Sequence, residues 1–193
     1  MRYFREWASP LGVITLAGDG ERLTGLWFRD QRFFGAGLLT DARPGGPELI
    51  REAERWLEVY FGGGVPDFTP PLGLTGTPFR QDVYRLLLTV PFGATVTYGE
   101  LAARLPREAG AGPASPRTVG GAVARNPISL IIPCHRVVGA GGCLTGYAGG
   151  LDRKARLLAM ERRGPDPRGL WSRLRAGGRK PQNQQLTRSE NVL

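Results

Sequence analysis

Residues 62–78, GGGVPDFTPPLGLTGTP, contain five glycines and four prolines. Proline removes a backbone donor and glycine weakens any regular element, so neither a helix nor a central strand can run through this stretch. The chain of 193 residues is therefore expected to fold as two parts around a linker, 1–74 and 75–165, followed by a basic, flexible tail over 166–193. The parts also differ in charge. Residues 1–74 carry 8 Lys+Arg against 10 Asp+Glu, residues 75–163 carry 12 against 5, and residues 164–193 carry 6 against 2. A basic second half points to a polyanion, with phosphate as the usual target. A generally basic proteome would give the same sign with no partner at all.

Two cysteines and a single histidine supply neither a disulfide framework nor zinc-ligand spacing, so no metal and no cofactor is expected. The start, MRYFREWASP, lacks the apolar core of a signal peptide, and no apolar run approaches the length of a membrane span. These features predict a cytoplasmic, reducing location and no membrane partner.

In the first part, LGVITLA (11–17) and RLTGLWF (22–28) read as short strands around a Gly18-Asp19-Gly20 turn. PELIREAERWLEVYF (47–61) repeats Leu49, Ile50, Ala53, Trp56, Leu57 and Tyr60 at helical spacing and stops at Gly62. Nothing in residues 1–74 suggests chemistry, which predicts a small α/β domain with a scaffold role.

In the second part, FRQDVYRLLLTV (79–90) reads as a helix closed by Pro91. Thr97-Tyr98-Gly99-Glu100 is a capping box that opens a second helix, YGELAARL. After a Pro/Gly/Ala loop over 106–114, Ser115-Pro116 starts a third helix over 116–125, stopped by Asn126-Pro127. Two short helices in a basic segment suggest a helix-turn-helix. The third helix, PRTVGGAVAR, carries two adjacent glycines that cost about 1 kcal/mol each relative to alanine. Either a neighbouring helix packs closely against them, or an outside surface does. If that surface is DNA, a face with few long polar side chains suits minor-groove docking better than base-edge reading in the major groove. Arg117, in the first turn, could reach into a base stack or lie solvated.

The stretch ISLIIPCHRVVG (128–139) places Cys134 directly beside the lone His135. A thiolate is a strong nucleophile, and a neighbouring base can generate it. In an extended segment, however, successive side chains point to opposite faces. Cys134 and His135 then meet only if Pro133 forces a turn or a water bridges them. Glu161, near the end of a helix over 151–163, has no basic neighbour at i−4, i−3 or i+3 and so suits a tertiary partner, although it could also be solvated beside Arg162 or Arg163. Cys134 could equally be a small buried apolar residue. The Gly-rich loop GAGGCLTGYAGG that follows can line a pocket, with Tyr147 offering an aromatic face or a hydroxyl.

PCHRV (133–137), TYGELA (97–102), RTVGGAVARNP (117–127), LTGYAGG (144–150) and KARLLAMER (154–162) together resemble the motifs of the O6-alkylguanine-DNA alkyltransferases, in order. SPLGVITLAGDGERLTGLWF resembles the family's N-terminal strand pair. The resemblance covers about residues 1–165. It implies a ribonuclease H-like α/β N-terminal domain followed by a mostly α, helix-turn-helix or winged-helix-like domain. It implies direct transfer of an alkyl group from O6-alkylguanine, and from O4-alkylthymine, in duplex DNA to Cys134, once per molecule, with no cofactor. His135 would deprotonate Cys134 through a water, Glu161 would orient His135, and Asn126 would hold the active-site turn. Tyr98 would help rotate the nucleotide and donate a proton to the leaving guanine. Arg117 would enter the duplex, with Thr118, Gly120, Gly121, Ala122 and Arg125 along the DNA face. Tyr147, Gly146, Ala148, Pro133 and Val137 would wall the base pocket. The partner would be alkylated double-stranded DNA, bound by a monomer that can act cooperatively.

The chain departs from the family pattern in its long 106–114 connection, in lacking N-terminal zinc ligands and a four-cysteine phosphotriester-repair domain, and in its tail beyond 164. A thiol hydrolase would need a base in direct reach of the cysteine and would leave the basic half without a role. A DNA-binding relative without chemistry would lack the cysteine.

Overall fold

The computed structural model describes residues 1–35, 41–46, 48–106 and 114–164. The predicted tail over 166–193 and most of the 106–114 connection lie outside these residues.

Four strands form one sheet: β1 (Tyr3–Ser9), β2 (Gly12–Gly18), β3 (Leu23–Phe28) and the two-residue β4 (Arg43–Pro44), in the order β3-β2-β1-β4. β1, β2 and β3 are antiparallel neighbours, and β4 runs parallel to β1. β1 was not expected, because YFREWAS shows little apolar alternation. It forms because β2 offers it a full antiparallel register from Tyr3↔Gly18 to Ser9↔Gly12. Helix α1 (Glu48–Phe61) lays its predicted apolar face, Leu49 to Tyr60, against this sheet, and Trp7 of β1 stacks on Phe61 at 5.7 Å.

The helices of the second part follow the local signals. α2 (Pro78–Leu88) is capped by Thr77. α3 (Tyr98–Arg104) opens with the complete Thr97/Glu100 capping box, and α4 (Pro116–Val123) opens on the Ser115 side chain. α4 ends two residues before the expected stop, and Ala124-Arg125 form a turn. β5 (Val96–Thr97) pairs in parallel with β6 (Val137–Val138), which ties the start of α3 to the residues after Cys134. α5 (Leu151–Arg163) closes the described chain.

The proline- and glycine-rich stretch does more than link. Leu23 N donates to Pro71 O (2.7 Å) and Gly73 N to Leu23 O (2.8 Å). Further along β3, Leu26 N donates to Pro127 O (2.9 Å) and Ser129 N to Leu26 O (2.8 Å). The outer edge of β3 is thereby covered by two irregular segments, which satisfies backbone groups that an open edge would expose. One apolar cluster runs through both parts, from Leu16, Leu26 and Tyr60 through Tyr84 and Leu101 to Val119, Ile132, Cys134 and Leu157.

Candidate active site

Residues 128–133 are not an extended segment leading up to Cys134. They make a tight turn in which Leu130 takes a positive φ of 70° and Ile132 N donates to Ile128 O. Asn126 closes it. Its Nδ2 donates to Ile132 O (2.8 Å) and lies 3.1 Å from Cys134 Sγ, while Ile128 N donates to its Oδ1 (3.0 Å). A buried side chain thus supplies the partners that a neighbouring strand would otherwise have given. Cys134–Arg136 then form a single 3-10 turn after Pro133, so the alternation of an extended chain does not apply.

His135 and Glu161 are both buried, and His135 Nε2 lies 2.7 Å from Glu161 Oε1. Tyr60 Oη donates to the same oxygen (2.7 Å), Arg136 donates through Nε (2.8 Å) and Nη2 (3.0 Å), and Gly93 N donates to Oε2 (3.1 Å). Burial works against the ionised carboxyl, but the hydrogen bonds from His135 and Arg136 and the charge of Arg136 outweigh it and hold Glu161 well below the usual carboxylate range. Glu161 is therefore a buried anion, and not a solvated residue beside Arg162. An ionised carboxylate can only accept, so His135 Nε2 carries the proton and Nδ1 is the free base. Burial pushes the imidazole below its ordinary 6.5, with Glu161 opposing, so the ring is neutral at pH 7. Nδ1 itself is buried with no hydrogen-bond partner among the described residues.

Burial also raises the Cys134 thiol, while Asn126 and the charge of Lys154 pull the other way. The thiol therefore needs a base to become a nucleophile. Cys134 lies in the wall of a cavity of about 200 Å³ shared with Tyr98, Gly120, Gly146, Tyr147 and Ala148. Tyr98 Oη donates to Gly146 O (3.3 Å), and the Tyr147 ring stands edge-on to His135 at 6.4 Å. Gly149 makes room for that ring, since a Cβ there would lie 2.7 Å from Tyr147. Pro133 and Val137 are buried and are not among the residues that line the cavity, and Val137 O accepts from Lys154. A larger open depression of about 780 Å³ shares Tyr147 and Ala148 and is bounded also by Leu11, Asp30, Asp152 and Arg153, with no cysteine in its lining. Cys143, the second cysteine, is exposed and free.

On α4, Arg117 and Thr118 are exposed, and Gly120 and Gly121 are half-buried. Ala122 is buried, but it borders an open recess with Thr118, Gly121 and Arg125. A Cβ at Gly120 would meet only the Tyr98 ring, at 3.6 Å, and one at Gly121 only Arg125 Nη1, at 3.8 Å. Both are ordinary contacts. Among the described residues nothing packs closely enough to require either glycine.

Comparison with known proteins agrees with this geometry. Residues 78–163 match the family model described as 6-O-methylguanine DNA methyltransferase, DNA binding domain. A methylated-DNA–protein-cysteine methyltransferase from Mycolicibacterium paratuberculosis is 42% identical over 163 residues, covering 83% of this chain and 92% of the relative. The chain belongs to the methylated-DNA–protein-cysteine methyltransferase family. A member of that DNA-repair family from Methanosarcina acetivorans is 43% identical over 82% of this chain and 97% of its own length. The crystal structure of Mycobacterium tuberculosis OGT in complex with DNA superposes with a TM-score of 0.74 at 42% identity, over 88% of this chain and 98% of that one. The small mixed sheet and its helices are those of this methyltransferase fold.

Sequence reasoning missed three residues of the site. Tyr60 read as core, and Arg136 and Lys154 only as parts of motifs with no role of their own. Lys154 is instead buried, donates to Val137 O, Thr145 O and Gly146 O, and is lowered to about 8 by burial. The only signal for it was its place in KARLLAMER.

Proposed function

We propose that this chain repairs O6-alkylguanine, and O4-alkylthymine, in duplex DNA by moving the alkyl group onto Cys134. The observation that carries the proposal is the buried relay from Glu161 through His135, with a free basic Nδ1, beside a buried thiol that forms the wall of a small cavity. A water links Nδ1 to the thiol, and His135 takes its proton. The thiolate attacks the alkyl carbon, an S–C bond forms, and the C–O bond to guanine breaks with its electron pair remaining on the base. Tyr98 donates the proton that the departing guanine needs. The product is a thioether, a poor leaving group, so each molecule reacts once.

Reaching a stacked base requires extrusion of the nucleotide, which costs a few kcal/mol and less for a damaged pair. Arg117 fills the space in the duplex while the bare Gly120-Gly121 face rests in the minor groove, with Thr118 and Arg125 on backbone phosphates. The finer fold description belongs to the same reading: a ribonuclease H-like scaffold over 1–74, and a winged-helix-like transfer segment over 75–165 in which α3 and α4 form the helix-turn-helix and β5 pairs with β6. So do a monomeric state and a cytoplasmic location. Among the described residues no helix is long and apolar enough to cross a membrane.

The test is intact and peptide mass spectrometry after mixing the protein with a duplex carrying one O6-methylguanine. A gain of one methylene on the Cys134 peptide, saturating at one per protein, is expected. No gain in folded, reduced protein that still binds the duplex refutes alkyl transfer.

A further inference from the structure

The first part of the chain reaches the mouth of the cavity through Arg32. Its backbone N donates to Ala148 O (3.0 Å), and its exposed side chain lines the same cavity as Cys134. The next residue, Phe33, takes a φ of 63°, a conformation that is costly for an aromatic side chain. The guanidinium carbon of Arg32 lies 4.7 Å from the centre of the Phe33 ring, and that of Arg125, from the end of α4, lies 5.1 Å from it. Arg125 is fixed in turn by a hydrogen bond from Nη1 to Gly121 O (3.0 Å). Two cations are therefore gathered on one ring, and no carboxylate among the described residues pairs with either. Like charges held together in this way repel one another until an anion arrives. Phe33 and Arg125 also line a recess of about 380 Å³ with Arg80, so the cations continue past α4 to the start of α2.

We propose that Arg32, held on Phe33 beside Arg125, is a DNA-backbone contact supplied by the N-terminal part of the chain, gripping a phosphate at the mouth of the alkyl-acceptor cavity. A guanidinium stacked on an aromatic ring keeps its N–H groups free for bidentate bonds to phosphate oxygens. The row Arg32, Arg125, Arg80 follows the bare glycine face of α4, where a duplex must approach under the function proposed above, on which this inference rests. The N-terminal part is then more than a scaffold. It closes one side of the DNA site and adds affinity without base readout.

The experiment compares the wild type with Arg32→Ala and Arg32→Lys. Equilibrium binding to an unmodified duplex is measured across a salt series, and single-turnover alkylation of Cys134 is measured with an O6-alkylguanine duplex and with the free alkylated base. Arg32→Ala is expected to weaken duplex binding about three- to tenfold and to lower the salt slope by about one. Its duplex alkylation slows in step, and its reaction with the free base, which has no phosphate, slows less. Arg32→Lys recovers most of the binding. Wild-type duplex affinity and salt slope in Arg32→Ala, or equal slowing on duplex and free base, overturns the assignment. A wild type that binds duplex but alkylates with neither substrate refutes the proposed function instead, and the salt series still decides the role of Arg32.

Discussion

His135 Nε2 and Glu161 Oε1 lie 2.7 Å apart between two side chains with no solvent exposure, and Arg136 holds the same carboxylate from the other side. Isolated charges would not survive there. The cluster is stable only as a unit, because each partner compensates the desolvation of the others. It fixes the imidazole with one nitrogen protonated toward Glu161 and the other without a hydrogen-bond partner among the described residues.

Glu161→Gln is therefore expected to destabilise the protein by about 3–5 kcal/mol at pH 7, since it leaves the Arg136 charge buried without its counterion. The pH dependence follows from the depressed carboxyl. Unfolded, Glu161 titrates near 4.5, whereas folded it stays ionised to much lower pH. Between those values the unfolded chain binds more protons, so this contribution is complete above about pH 4.5 and is lost as pH falls below it. Denaturant titrations at pH 7, 5 and 3 should show stability falling below pH 5 in the wild type and falling less steeply in the variant. Parallel losses in the two proteins would remove Glu161 as the source.

Asn126→Ala tests the turn. The change strands Ile128 N in a buried segment with a left-handed residue at Leu130, while Ile132 O keeps Cys134 N as its donor. A loss of about 1–3 kcal/mol is expected from the one unsatisfied donor. Alkyl transfer should fall more than the unfolded fraction explains, because Cys134 also loses the amide 3.1 Å from its sulfur. A variant with wild-type stability would mean that the turn is held by other contacts.

How much of this was legible depended on the range of the interaction. The Thr97/Glu100 box, the Ser115 cap and the α1 face are set by residues within a turn or two of one another, so their pattern shows in the chain. The 128–133 turn is not, since ISLII suits a buried strand by composition, and the turn is satisfied by the Asn126 amide, placed by the end of α4, together with a bond from Ser129 N to the distant Leu26 O. Tyr60 looked like any other apolar position of α1 because its hydroxyl partner is 101 residues away. Cys134, His135 and Glu161 were readable as chemistry, but what unites them is Arg136 and Lys154, two charges whose burial no local pattern announces.

Lys154→Met should move the pH dependence of alkyl transfer upward. The ammonium lowers the Cys134 thiol toward ionisation, and its own value is brought down to about 8 by burial. Below pH 8 the wild-type lysine is charged and favours the thiolate. Without it the thiol ionises only at higher pH, so the single-turnover rate at pH 7 drops while the rate at high pH approaches that of the wild type. Methionine also removes the bonds to Thr145 O and Gly146 O that hold the cavity wall. A rate lowered equally at every pH would assign Lys154 to the wall alone.

Arg117→Ala separates entry into the duplex from chemistry. Arg117 is exposed in the first turn of α4 and makes no contact with Cys134 or its relay, so the variant should fold with wild-type stability. If Arg117 holds the duplex open while the nucleotide is out of the stack, its loss returns the unstacking cost of a few kcal/mol to the reaction. Alkylation by a duplex substrate should then slow by about tenfold or more, which corresponds to about 1.4 kcal/mol per decade. Alkylation by the free alkylated base, which needs no flipping, should keep its rate. A duplex containing the lesion opposite a mismatch should lie between the two, since its base is already weakly paired. Equal slowing on duplex and free base would place Arg117 in the folding or chemistry of the site and end its role in flipping.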